Sequence, residues 1–193
     1  MSFQRRHVNA LLAGIPLAGL APLAHAQSRR DSVVLGMVLE PPGLDPTSGA
    51  AAAIGEIVHY NVLEGLTKIG MDGSVTPLLA ESWLLGPDGK TYSFVLRKGV
   101  KFSDGKPFDA SAVKFSFERA KAPGSTNKAK KALFDNISRV EVVDAHRVIL
   151  VLDKPDAATP FRLGENTAVI LHPDSAAQAA TKPVGTGPFT VEN

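Results

Sequence analysis

Three histidines, His59, His146 and His172, and three Asp-Gly pairs, Asp72-Gly73, Asp88-Gly89 and Asp104-Gly105, are the places where chemistry would be sought first. Imidazoles and carboxylates hold metals and move protons. The histidines lie far apart, and none has a second His or Glu at metal-ligand spacing, so no metal site is predicted. The Asp-Gly pairs recur every 16 residues, which invites a calcium-loop reading. None of the three has the alternating oxygen ligands and closing glutamate that such a loop needs. No G-x-S-x-G elbow, G-x-G-x-x-G fingerprint or phosphate loop occurs; the stretch GTGPF at 185–189 leads into a strand pattern, where a dinucleotide site needs a helix. These patterns predict no cofactor and no enzyme.

The elements around these residues follow from periodicity. Asp-Gly tolerates the positive φ of tight hairpin turns, so the three pairs are expected to punctuate strands. Between the second and third, Tyr92, Phe94 and Leu96 alternate with Thr91, Ser93 and Arg97, which predicts a half-buried strand. Residues 32–40, SVVLGMVLE, form a nearly continuous apolar run, the pattern of a strand covered on both faces. Pro41, Pro42 and Pro46 end it. Ile54, Val58, Val62 and Leu66 recur every four residues and predict a helix ending near Gly65. After KPFDAS, either Asp109 or Ser111 can cap a helix that carries Val113, Phe117 and Ala120 on one face. Residues 121–131 are polar and basic with Pro123 and Gly124, predicting a mobile surface loop. Residues 137–155 predict a hairpin turning at 144–146; 168–171 and 189–191 each predict a strand.

At 193 residues with 44% hydrophobic side chains, the chain can bury a sizeable core. Residues 1–26 have a basic start at Arg5 and Arg6, an apolar run from 10 to 23 and Ala24-His25-Ala26, the layout of a cleavable signal peptide. The export route, general or twin-arginine, stays open. Taking Arg5 and Arg6 from 21 basic residues leaves 19, matched by 19 acidic ones. A chain with no surplus positive charge lacks the main footprint of nucleic-acid binding. With no cysteine, an exported chain relies on its core and not on disulfides, which suits a periplasmic location.

The block at 77–120, PLLAESWLLGPDGKTYSFVLRKGVKFSDGKPFDASAVKFSFERA, resembles the signature region of the extracellular solute-binding proteins of peptide and nickel ABC transporters. EPPGLDP at 40–46, NVLEGL at 61–66 and GTGPF at 185–189 resemble three further segments of that family, in the same order. The resemblance implies an α/β fold: the N-terminal part of a two-lobed, Venus-flytrap periplasmic-binding-protein architecture, type II, with an extra α/β subdomain and with the second lobe lying outside this chain. It divides the chain into a signal peptide (1–26), the start of lobe one (27–66), the extra subdomain (67–165) and a return to lobe one (166–193). It implies a monomeric receptor that captures a peptide or similar small solute and presents it to an inner-membrane permease, and, with half the pocket outside this chain, weak binding or none by this chain alone. The alternative is a periplasmic peptide-binding or chaperone-like module without transport coupling. The family's pocket edge matches LEPPGLDP, making Glu40 and Pro41 the candidate ligand-binding residues. Glu40 then either meets a cationic ligand group or merely caps a strand end or pairs with a surface lysine.

Overall fold

In the computed structural model, which describes residues 34–49 and 51–192, every Asp-Gly pair sits at a tight turn. The glycine φ is 79° at Gly73, 66° at Gly89 and 86° at Gly105, the left-handed region that side chains disfavour. Each aspartate accepts a hydrogen bond from the backbone N–H two residues on: Ser74 at 3.0 Å, Lys90 at 2.9 Å and Lys106 at 3.1 Å. Carboxylate and glycine close the turn together.

The first two turns join β1 (Thr67–Ile69) to β2 (Val75–Pro77), and β3 (Ala80–Leu85) to β4 (Thr91–Leu96). The third reverses a short loop pinned by a bridge between Lys101 and Pro107. The predicted hairpin forms as β5 (Ile137–Asp144) and β6 (Arg147–Leu152), with Asp144 accepting from the His146 N–H at 2.8 Å. The longer strands make one antiparallel sheet in the order β3-β4-β6-β5. Because side chains alternate between faces, interior strand β4 buries Tyr92, Phe94 and Leu96 on one side.

Three α-helices lie among the described residues: α1 (Ala52–Val58), α2 (Ala110–Lys121) and the one-turn α3 (Thr159–Arg162). Asp109 is the cap of α2, accepting from the Ser111 N–H at 2.8 Å and the Ala112 N–H at 3.4 Å. Val113, Phe117 and Ala120 pack from α2 onto the sheet's buried face. Each fully buried large apolar side chain there contributes about 1.5–3 kcal/mol.

The chain divides into two compact units, one ending at Gly36 and one beginning at Met37. Of the first, residues 34–36 are described; they are exposed and without regular secondary structure. The second unit holds two apolar cores. The larger runs from Leu66 to Ile170 and contains the sheet and α2. The smaller joins Ile54, Val58, Val62 and Leu63 to Val169, Leu171 and Ala179, residues separated by more than a hundred positions.

Five expectations are corrected. Residues 34–40 form no strand, and Val38 is 99% exposed: an interior strand is made by its neighbours, and no described segment pairs with this run. Helix α1 stops at Val58; Tyr60 takes φ 62°, which no α-helix accommodates, and Val62 and Leu66 are buried from the turn that follows. Residues 168–171 form no strand, because their amides bond to separate places: Ile170 N–H to Glu64 O at 2.8 Å and Leu171 N–H to Ser116 Oγ at 3.0 Å. Residues 189–191 also stay outside any ladder, with Phe189 N–H bonding Asn61 O at 2.9 Å. The basic loop at 121–131 is pinned rather than free: Asn127 is buried and donates to Thr167 O at 2.9 Å, and Lys130 donates to Lys121 O at 2.9 Å. The proposed signal peptide, residues 1–26, lies outside the described residues. Among the described residues, no helix is long and apolar enough to cross a membrane.

Candidate functional site

The chain passes twice between the two cores, near Leu66 on the way out and near Ile170 on the way back. The two passages lie against each other. Thr67 Oγ1 donates to Pro160 O at 2.6 Å, and a Cβ on Gly65 would stand 2.5 Å from the Leu163 carbonyl oxygen. The Tyr60 hydroxyl ties both passages together, donating to Gly164 O at 2.8 Å and accepting from the Ile69 N–H at 3.0 Å. Tyr60 is the one non-glycine with positive φ among the described residues. Such a conformation costs on the order of 1–3 kcal/mol and persists only where surrounding contacts enforce it. Here those contacts are its two hydroxyl bonds and the His59 ring stacked on it at 3.7 Å.

A cleft of about 540 Å³ opens at this neck, with His59, Tyr60, Lys128, Arg162, Glu165 and Thr167 in its wall. Among the described residues, four buried side-chain polar atoms lack a hydrogen-bond partner within the chain, and three belong to this wall: His59 Nε2, Arg162 Nε and Thr167 Oγ1. Native chains satisfy nearly all such atoms, by protein groups, ordered water or ligand, so their convergence makes this wall the candidate site. Arg162 Nε lies 3.3 Å from Asp156 Oδ2, close enough for charge attraction without hydrogen-bond geometry. Burial pushes the His59 imidazole down to about 4, the Gly164 carbonyl opposing weakly, so His59 is neutral at pH 7. The wall offers cations, a carboxylate, an imidazole and a hydroxyl. Thr167 makes no hydrogen bond to His59, so the cleft holds no nucleophile–base pair.

Glu40 and Pro41 are not in this wall; Glu40 is exposed and Pro41 part-buried. No strand ends at Glu40 for it to cap. His146 and His172 are not brought to His59, and no group of three potential metal ligands occurs among the described residues.

What the fold does bring together is the set of four motifs. Asp45 of EPPGLDP pairs with Arg119 of the signature block at 2.7 Å. Ser103 N–H of that block bonds Gly185 O at 2.8 Å. Thr186 Oγ1 donates to Glu64 Oε2 of NVLEGL at 2.7 Å, and the Gly187 N–H bonds Val62 O at 3.1 Å. The two glycines of GTGPF are required by this approach: a Cβ on Gly185 would collide with the Val62 carbonyl, and one on Gly187 would stand 2.5 Å from the Asn61 carbonyl oxygen. Sequence reasoning missed Tyr60, Arg162, Thr167 and Arg119. The polar run at 162–167 between apolar segments was the one available signal.

The family model for bacterial extracellular solute-binding proteins, family 5 Middle, matches residues 74–193. The glutathione-binding protein GsiB of Salmonella paratyphi A is 34% identical, over 94% of this chain and 36% of its own length. A di/tripeptide-binding protein of Pseudomonas aeruginosa is 35% identical, over 93% of this chain and 38% of its own. Among solved structures, the binding protein AgaA in complex with agropinic acid, from A. tumefaciens R10, superposes with a TM-score of 0.73 at 32% identity, covering 80% of this chain and 32% of AgaA. NikZ of Campylobacter jejuni in complex with Ni(L-His) gives 0.68 at 30% identity, covering 79% of this chain and 31% of NikZ. The chain thus spans little more than a third of the length of the curated relatives it matches.

Proposed function

The chain belongs to the bacterial extracellular solute-binding proteins of family 5, and from that membership we propose that it supplies part of the periplasmic receptor of an ABC transporter. The receptor captures a peptide or similar small solute and presents it to an inner-membrane permease. No bond is made or broken: the solute shifts a hinge equilibrium by binding the closed form better. The observation that carries this reading is the family match over residues 74–193; the neck cleft, lined by Lys128, Arg162, Glu165 and the buried His59 and Thr167 polar atoms, supports it. Binding sites favour junctions between packed bodies, as here.

The division inferred by resemblance (27–66 and 166–193 in one lobe, 67–165 in a subdomain) is supported by the two cores, whose members change over near Leu66 and Ile170. Residues 1–26 serve as the export signal in this reading. Glu40 and Pro41 form the pocket edge, with Glu40 free in solvent to meet a cationic group of the solute.

Paired measurements test the proposal. The chain is titrated with glutathione, dialanine, trialanine and nickel–histidine while thermal stability and solute integrity are followed. Stabilisation that grows with the logarithm of one solute's concentration, without turnover, is expected. Turnover of a solute by homogeneous protein would contradict it.

A further inference from the structure

The geometry points to Arg119 as the positioning residue of the ligand-edge segment: from helix α2 it holds the Asp45–Thr47 turn, and through that turn it sets where Glu40 and Pro41 stand. This rests on the assignment of Glu40 and Pro41 to the pocket edge proposed above.

Among the described residues, none from 37 to 43 exchanges a hydrogen bond with the rest of the unit; the first anchor is the Leu44 N–H, bonded to Ala180 O at 2.8 Å. The second is Asp45, four residues beyond Pro41 and only 3% exposed. One of its oxygens accepts from Thr47 N–H at 2.9 Å and Thr47 Oγ1 at 2.6 Å, and the other receives Arg119 Nη2 at 2.7 Å. Arg119 Nη1 also donates to Thr47 Oγ1, so the planar fork grips both residues of the turn in a fixed geometry that a lysine ammonium does not pre-set. Burial alone would raise the Asp45 carboxyl, but the bonds from Thr47 and Arg119 outweigh it and hold the group below its ordinary value. Arg119 itself is fixed on α2, whose inner face is locked into the larger core. Leu44 packs on the smaller core. The pair therefore ties a helix of one core to the entrance segment of the other. Removing the guanidinium leaves a buried carboxylate without its cation, which the turn relieves by opening to solvent.

The test compares wild type, Arg119→Lys, Arg119→Gln and Asp45→Asn in the full chain. Amide hydrogen exchange is read at residues 44–49 against β4 and β6, and dissociation constants for glutathione and dialanine are measured beside thermal midpoints. Arg119→Gln is expected to speed exchange at 44–49 about tenfold while β4 and β6 keep their protection, because opening is local. Arg119→Lys should recover part of that protection, and Asp45→Asn should reproduce the loosening. Wherever a probe binds wild type, affinity falls in the order Lys, then Gln, even when thermal midpoints are matched. Exchange at 44–49 unchanged, or raised equally throughout the sheet, overturns the proposal. Local loosening with unchanged affinity for a bound probe overturns it too. If neither probe binds wild type, the exchange data alone decide whether Arg119 positions the segment.

Discussion

The two cores are built in opposite ways. The larger is assembled from neighbours: β3 pairs with β4 across one tight turn, β5 with β6 across another, and α2 covers them. The smaller brings residues 54–63 against residues 169–179 and is stitched by single bonds to scattered acceptors instead of a ladder. Local contacts form without a long loop to close; the smaller core must first bring distant segments together. The neck cleft lies on the boundary between these regimes, where Tyr60 and Gly164 meet. In the proposed reading the sheet core is the rigid support, and the smaller core is the part on whose integrity the candidate cleft depends.

The contrast can be broken most severely at the sheet centre. Phe94, fully buried on β4, should cost about 3–5 kcal/mol when cut to alanine, lowering the midpoint of urea unfolding for all probes together. Gly185→Ala attacks the other core: the new Cβ meets the Val62 carbonyl, for a cost of about 3 kcal/mol at the upper end of overpacking. Exchange protection should then fall at 58–63 and 169–171 while β4 and β6 remain protected; equal loss in both would erase the distinction between the cores.

Acid sharpens the comparison further. The His59 imidazole sits near 4 in the folded chain against 6.5 ordinarily, so between those values the unfolded chain binds more protons and stability rises with pH. Stability should fall by on the order of 2 kcal/mol as pH drops from 6.5 to 4, after discount for partial exposure. His59→Gln should flatten this slope. The Asp45 carboxyl, held low, loses its contribution only at lower pH, as it protonates. The smallest effect is expected at the helix cap: Asp109→Ala removes the acceptor of two α2 amides and should cost about 1 kcal/mol, read as fraying at the start of α2.

Legibility in the sequence follows the same division. The alternation of Tyr92, Phe94 and Leu96, the Asp-Gly turns and the start signal at Asp109 or Ser111 are statements about neighbouring residues: the strand forms, two of the turns join strands while Asp104-Gly105 reverses a loop, and Asp109 takes the cap. The four-residue recurrence through Val62 and Leu66 marked buried positions correctly and the helix wrongly, since burial there comes from a turn that Tyr60 imposes. The apolar run at 32–40 and the end at 189–191 look like strands because strand propensity is local, while ladder partners are not. The cleft was illegible for a related reason. His59 joins Arg162 and Thr167 only because the chain crosses the neck twice, and nothing near His59 in sequence announces the run at 162–167. GTGPF was visible as a motif, but its cause, the close approach to Asn61 and Val62, required the fold.

The claim that the neck cleft receives the solute is tested most directly on His59 itself. Its imidazole C–H signals are followed by NMR during titration with glutathione and dialanine, with His146 and His172 in the same spectrum as controls. A saturable shift at His59, with His146 and His172 still, is the predicted result. A solute that binds while His59 stays unmoved would contradict it.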